Sequence, residues 1–172
     1  MNVYFTAPQN TPYQTNFVQA CTDKLQSAGF NIFLASDKFI TNQSAFEQKR
    51  KGDSNPIHSD ETRLGILEKS PYAKEVFLEN FQEMVKSDAL LALVDGSQVD
   101  DRVACEIGIF YGLMRSDASK KGIIGLATDV RCLRRRDSTY GLNIFTLGTL
   151  EEVGEVMEDL NSVIRLLSRW NG

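Results

Sequence analysis

The chain has few of the residues that build metal sites and disulfides. Among its 172 residues there are one histidine, His58, and three cysteines, Cys21, Cys105 and Cys132, with no C-x-x-C pair. An odd number of widely separated cysteines indicates neither a disulfide framework nor a zinc site. A histidine-based metal site, or a Ser-His or Cys-His nucleophile pair, would have to use His58, which lies in a polar turn. We therefore expect no metal, no cofactor and a reduced, cytoplasmic setting.

Long apolar runs and an excess of positive charge are also missing. No apolar run approaches the roughly eighteen residues that span a bilayer, and the N-terminus begins directly with a strand-like segment and lacks signal-peptide features. The net charge is −4, which gives no general attraction to a nucleic-acid backbone. We expect neither a membrane nor a nucleic acid as a partner. One basic run is either a solvated loop or a local anion site: Arg131, Arg134, Arg135 and Arg136.

The rest of the chain alternates between strand and helix patterns. Strand patterns cover 2–7, 31–35, 89–94 and 122–127, of which the last two are typical of buried parallel strands, and a short fifth strand is predicted at 143–145. Helical patterns cover 14–27, 71–87 and 102–115, and a capping box at 149–152 is expected to begin the closing helix. Residues 41–62 lack a clean period, which predicts a long loop of the kind that forms lids or binding loops. No linker interrupts the chain, so we expect one domain over 1–172.

This alternation predicts an α/β fold with a doubly wound parallel sheet and helices on both faces. The simplest arrangement is flavodoxin-like, with about five strands in the order 2-1-3-4-5. Ligands bind such sheets beyond the carboxyl ends of the strands, where the strand order reverses. Two loops are therefore expected to form the site: Thr6–Asn10 after the first strand and Asp95–Asp101 after the third.

The second of these loops is acidic, and a glutamate follows it at an unusual position. Glu106 has Val103, Ile109 and Phe110 at helical spacing, which places a carboxylate beside the face that the helix should bury. One interpretation is structural: the loop aspartates cap the helix, and Glu106 satisfies a buried donor. Another is a carboxylate pair that acts on a glycosidic bond, with one group attacking the anomeric carbon. A magnesium or calcium site is a third option, although the EF-hand spacing is absent.

Four segments resemble the nucleoside 2-deoxyribosyltransferases. Residues 95–108, DGSQVDDRVACEIG, are similar to the family signature D-G-x-x-x-D-x-G-T-A-x-E-x-G. Residues 3–8 are similar to the family's opening strand and loop, residues 80–88 to its helix before the third strand, and residues 140–143 to its asparagine-containing C-terminal segment. The resemblance implies an enzyme that moves 2-deoxyribose from a deoxynucleoside to another nucleobase.

The resemblance also implies roles for individual residues. Glu106 matches the nucleophile that forms a glycosyl-enzyme, Asp100 the aspartate that contacts and protonates the base, and Tyr4 a tyrosine near the nucleophile. Asn80 stands where members have an aspartate or an asparagine. Asn143 matches an asparagine that reaches a neighbouring subunit's site, which implies a homo-oligomer. The remaining expected substrate-binding residues are Thr6, Ala7, Pro8, Gln9, Asp95, Gly96 and Arg102.

Two departures from the family pattern leave other functions open. Thr6 and Arg102 stand where glycine is common. A bulky cation at 102 would crowd the usual nucleoside or receive a 5′-phosphate, which suits the arginine fork. Hydrolysis of nucleoside 5′-monophosphates is therefore an alternative. A non-catalytic nucleotide-sensing or receiver-like module is a further one, although a receiver would want acidic residues after the first strand.

Overall fold

A computed structural model describes residues 1–35, 71–129 and 141–172. Within them the strands are β1 (Asn2–Thr6), β2 (Asn31–Leu34), β3 (Ala89–Leu93), β4 (Gly122–Leu126) and β5 (Gly154–Met157). The helices, numbered along the same residues, are α1 (Pro12–Ser27), α2 (Pro71–Lys86), α3 (Asp101–Ser116), α4 (Ile144–Val153) and α5 (Leu160–Asn171). Several predictions lie outside the described residues: the loop at 41–62, His58, Cys132, Tyr140 and the basic run from Arg131 to Arg136.

The five strands form one parallel sheet in the order β2-β1-β3-β4-β5. This confirms the predicted flavodoxin-like order, with its reversal between β1 and β3. Alternate residues of β1 point to opposite faces of the sheet, as the period of a strand requires. Val3 and Phe5 join the core under α1 and α5, whereas Tyr4 joins the core under α2, α3 and α4. The sheet thus directs Tyr4 towards α3, the helix that follows the second switch-point loop.

The C-terminal third differs from the prediction. Asn143 does not start a strand; its side chain caps α4 by accepting a hydrogen bond from the Phe145 amide at 2.9 Å. Thr149 lies inside α4, and the closing helix is capped instead by Asp159. The fifth strand begins at Gly154, where an added Cβ would stand 1.7 Å from the Ile123 carbonyl oxygen. A residue without a side chain is therefore needed for β5 to approach β4.

The helix α2 is less buried than its apolar stripe predicts. Met84 and Asn80 are buried, but Phe77 and Val85 are about half exposed. The C-terminal end of α2 is held by the buried Lys120, whose ammonium donates to backbone carbonyls of this segment at 2.8–3.3 Å. The helix is thus anchored at one end while part of its apolar surface stays open.

Among the described helices, none is long and apolar enough to cross a membrane.

Candidate active site

Glu106 lies in the second turn of α3 and is only 5% exposed. The helical spacing to Val103 and Phe110 predicts this placement, because both are buried in the core. Ile107 is buried with them, whereas Ile109 is only partly buried. The Tyr4 hydroxyl, presented by β1, donates a hydrogen bond to Glu106 Oε1 at 3.0 Å. The sheet and the helix therefore bring together two residues that are 102 positions apart in the chain.

Burial dominates the electrostatics of this pair. It raises the pKa of Glu106, while Thr6, the Arg102 guanidinium and the Tyr4 hydroxyl act in the opposite direction and Asp100 raises it further. Burial, together with the neighbouring Glu106 carboxylate, holds the pKa of Tyr4 far above its ordinary value. Tyr4 therefore stays protonated and remains a hydrogen-bond donor to the carboxylate.

Five buried polar side-chain atoms have no hydrogen-bond partner within the described part of the chain. Buried polar groups are nearly always paired, so a group of unpaired ones marks a place where a ligand or water belongs. Thr6 Oγ1 and Glu106 Oε2 are two of them, and the Thr6 hydroxyl acts to lower the pKa of the Glu106 carboxyl. All five belong to residues that the sequence predicts for the site: Thr6, Gln9, Asn80, Arg102 and Glu106.

Arg102 joins the two switch-point loops. Its side chain is half-buried, and Nη2 donates to the backbone carbonyl of Ala7 at 2.7 Å. Nη1 is buried and lacks an acceptor among the described residues. The guanidinium is therefore directed inwards, over the loop that follows β1, in which Ala7 and Pro8 are themselves buried.

Asp100 occupies the N-cap of α3. Its Oδ1 accepts hydrogen bonds from the backbone amides of Arg102 at 3.1 Å and Val103 at 3.3 Å. This is the capping role that the structural interpretation assigns to the loop. The cap uses only Oδ1.

Asp95 and Gly96 shape the loop after β3. The Asp95 carboxylate accepts hydrogen bonds from the backbone amides of Thr128 at 2.5 Å and Asp129 at 2.9 Å, which ties this loop to the one after β4. Gly96 has a φ of +117°, a conformation that side chains other than glycine rarely adopt. No group of three or more potential metal-ligating residues occurs among the described residues. The acidic loop is thus built around turns and caps.

A pocket of about 310 Å³ opens between α2 and α3, with Glu106 on its wall. Arg102 and Asn80 also line it, whereas Asp95, Gly96, Asp100 and Asn143 do not. Most of its wall was not predicted from the sequence, because a stripe of apolar residues on a helix ordinarily indicates core. The sequence signal that could have indicated this wall is the apolar stripe of α2, part of which, including Phe77, is left exposed. The missed residues are Ala73, Val76, Phe77, Met84, Cys105 and Ile109.

Asn143 lies at the surface, away from this pocket. It is exposed, and the two residues after it, Ile144 and Phe145, are 74% and 84% exposed. The structure of one chain therefore does not bring Asn143 to Glu106.

Comparison with known proteins identifies the family. The family model described as nucleoside 2-deoxyribosyltransferase matches residues 3–164. The chain belongs to this family. Nucleoside 2-deoxyribosyltransferases are transferase-type enzymes that act on small-molecule nucleosides, so the pocket beside Glu106 belongs to an enzyme of that type.

Solved structures share the fold of this nucleoside 2-deoxyribosyltransferase family member. A conserved protein from Enterococcus faecalis V583 is 17% identical, with 98% of each chain covered and a TM-score of 0.63. A 2-deoxyribosyltransferase from Bacillus psychrosaccharolyticus is 15% identical, with 95% of this chain and 90% of that chain covered and a TM-score of 0.55. No curated protein sequence matches the chain. At these identities the likeness shows the fold.

Proposed function

We propose that the protein transfers the 2-deoxyribosyl group of a 2′-deoxynucleoside to another nucleobase through a covalent intermediate on Glu106. The observation that carries this proposal is the buried Glu106 carboxylate. Its Oε1 is held by Tyr4 at 3.0 Å, and its Oε2 has no partner among the described residues. A fixed carboxylate with one free oxygen on a pocket wall is what nucleophilic attack on an anomeric carbon requires.

In the first half of the reaction, Oε2 of ionised Glu106 attacks C1′ of the bound deoxynucleoside. A C1′–O bond forms as the C1′–N bond breaks, and the electron pair of that bond leaves with the base. Asp100, protonated on Oδ2, gives its proton to the departing base. Asp100 can do this while it still caps α3, because the cap uses only Oδ1.

In the second half, a nitrogen of the incoming base attacks C1′ of the glycosyl ester. The C1′–O bond breaks, its electron pair returns to Glu106, and the base loses its proton to the Asp100 carboxylate. Tyr4 keeps its proton throughout and stabilises Oε1 in both halves. Asn80, with a buried and unpaired Oδ1 on the same pocket wall, is proposed to position the substrate.

The walls of the pocket favour transfer over hydrolysis. Most of its lining side chains are apolar, namely Ala73, Val76, Phe77, Met84 and Ile109. An apolar wall beside the glycosyl ester disfavours bound water and so leaves the ester for a base. One observation favours the competing activity, hydrolysis of nucleoside 5′-monophosphates: Arg102 Nη1 has no acceptor among the described residues.

Asn143 enters the proposal through a second subunit. Its exposed position beside Ile144 and Phe145, two exposed apolar side chains, is suited to contact with another copy of the chain. We propose a homo-oligomer in which Asn143 of one subunit completes the site of its neighbour. Thr6, Ala7, Pro8, Gln9, Asp95 and Gly96 remain proposed substrate-binding residues, as parts of the two switch-point loops.

The proposal is tested by incubating the protein with a 2′-deoxynucleoside and a different free base, and separating the products by chromatography. We expect a new deoxynucleoside that contains the added base, and little free sugar. Parallel reactions use ribonucleosides and the 5′-monophosphates of the same nucleosides. Free sugar phosphate formed only from a monophosphate would favour the hydrolase, and binding without any cleavage would favour a non-catalytic module.

A further inference from the structure

We propose that Arg102 is a positioning residue: its guanidinium ties the loop after β1 to the helix that carries Glu106, and it places a positive charge on the pocket wall that Glu106 shares. This inference rests on the proposed function, since an ionised Glu106 is the nucleophile of that reaction. It goes beyond the function because it assigns a role to a position where the family commonly has glycine.

The geometry of Arg102 fits a fixed role. The side chain starts in the first turn of α3 and reaches across to Ala7, where Nη2 donates to the backbone carbonyl at 2.7 Å. Ala7 directly follows β1, the strand that carries Tyr4 and Thr6. One side chain therefore ties the end of β1 to the helix that carries Glu106. A glycine at position 102 would leave this connection unmade.

The charges around Glu106 show why a cation is needed. From β1 the carboxylate is faced by neutral Tyr4, and from α2 Glu83 adds negative charge that acts on Tyr4. From α3 and its cap come Asp100, Arg102 and the pocket-lining Cys105. Among the described residues that act on Glu106 and Tyr4, Arg102 is the one positively charged group. Opposite charge at short range favours the ionised carboxyl, and Asp100 disfavours it while Asp100 is itself ionised.

The second departure from the family pattern acts in the same direction. Thr6 and Arg102 both stand where glycine is common, and both lower the pKa of Glu106 against the effect of burial. Thr6 ends β1 and Arg102 lies in the first turn of α3, so the two side chains come from the elements that carry Tyr4 and Glu106. The two replacements thus form a pair around one carboxylate.

The direct test is a titration of Glu106 by ¹³C NMR in protein labelled at the glutamate carboxyl carbons. The Glu106→Gln variant identifies the signal. We expect Arg102→Gln to move the Glu106 titration midpoint to higher pH, because the loss of the cation disfavours the carboxylate. Arg102→Lys keeps the charge and should leave the midpoint close to that of the wild type. The control is Arg115→Gln, which removes an exposed arginine from the last turn of the same helix.

Kinetics supply a second readout. With a deoxynucleoside and an acceptor base, the acid limb of kcat/KM should move to higher pH in Arg102→Gln. The loss should be about tenfold greater at acidic than at alkaline pH for each unit by which the midpoint rises. An unmoved midpoint in folded Arg102→Gln would overturn the inference. So would a variant that loses only affinity for a nucleoside 5′-monophosphate, since Arg102 would then be a phosphate ligand.

The experiment separates this inference from the proposed function. The titration needs no substrate. If the wild type shows no transfer activity, the proposed function is rejected, and the Glu106 midpoints still decide whether Arg102 acts on this carboxylate. If Arg102→Gln does not fold, Arg102→Met decides, because methionine keeps an aliphatic stem without the charge. A raised Glu106 midpoint in the folded methionine variant would support the charge role, and an unmoved midpoint would contradict it.

Discussion

At the residue scale, the site depends on a carboxylate placed where the fold would be more stable without a charge. Glu106 is buried, and burial raises the pKa of its carboxyl. Removing a charge from water costs several kcal/mol unless it is compensated. Thr6, Arg102 and Tyr4 offset part of this desolvation cost, because each favours the ionised form of the carboxyl. On the proposed function, the remainder is a local conflict between stability and activity of the kind expected at active sites.

Glu106→Gln should therefore abolish transfer while stabilising the fold. A group whose folded-state pKa is raised contributes stability at low pH, and this stability is lost as the pH rises from the unfolded-state value through the folded-state value. At neutral pH we expect the variant to gain on the order of 1 kcal/mol in free energy of unfolding. Below the ordinary glutamate value of 4.5 the gain should shrink.

Urea denaturation of the wild type and of Glu106→Gln, at neutral pH and below pH 4.5, measures this difference in free energy of unfolding. Glu75→Gln is the control, because it removes an exposed carboxylate from α2 and should change neither activity nor stability appreciably. A Glu106→Gln variant that is folded, equally active and no more stable would show that the carboxylate is neither strained nor catalytic.

At the element scale, the sequence predicts most of the fold because its signals are local and strong. The runs 89–94 and 122–127 are apolar throughout, as is typical of parallel strands that helices cover on both faces. They form β3 and β4 respectively, and each strand ends one residue earlier than predicted. Asp100 and the acidic loop predict the start of α3. The placement of Glu106 follows from its apolar neighbours at helical spacing.

The errors at the element scale have identifiable causes. Residues 143–145 resemble a strand in composition, but Asn143 is also a good N-cap, and that preference determines the local structure. Thr149–Glu152 has the spacing of a capping box, yet it lies inside α4 because Leu147 and Leu150 are buried against the sheet. The strand β5 depends on the contact of Gly154 with Ile123, a tertiary feature without a local sequence signal.

The candidate site was predictable only in part for similar reasons. Tyr4 and Glu106 meet because β1 and α3 border the switch point, which the strand order implies. The hydrogen bond from Arg102 to Ala7 depends on the direction of one flexible side chain, which sequence spacing does not determine. The pocket along α2 depends on apolar residues that the core leaves uncovered.

At the scale of the whole molecule, the single domain over 1–172 and the homo-oligomer stay predictions. The exposed Ile144 and Phe145 beside Asn143 give the oligomer a definite surface. An oligomer with shared sites makes a specific prediction about mixed subunits, because Glu106 and Asn143 of one active site would come from different chains.

Two inactive variants should therefore restore activity when combined. We expect Glu106→Gln and Asn143→Ala each to lose transfer alone. In a mixed pair, the Asn143→Ala chain supplies Glu106 and the Glu106→Gln chain supplies Asn143, so one site is intact. After unfolding and refolding together in equal amounts, activity should return to about a quarter of the wild-type value, as random assortment in a two-fold pair predicts.

Separately refolded variants, mixed just before the assay, are the control for subunit exchange. No recovery in co-refolded samples that contain mixed oligomers would place both residues in the same chain's site, or Asn143 outside any site. Light scattering of the wild type shows in parallel whether an oligomer forms at all.

The central claim, that Glu106 carries the sugar between the two bases, is tested most directly by trapping the intermediate. The protein is mixed with a 2′-deoxynucleoside without an acceptor base, quenched in acid, digested and examined by mass spectrometry. We predict a gain of one 2-deoxyribosyl group on the peptide that contains Glu106, lost when an acceptor base is added before the quench and absent from Glu106→Gln. A sugar attached to any other residue, or sustained transfer by Glu106→Gln, would contradict the account.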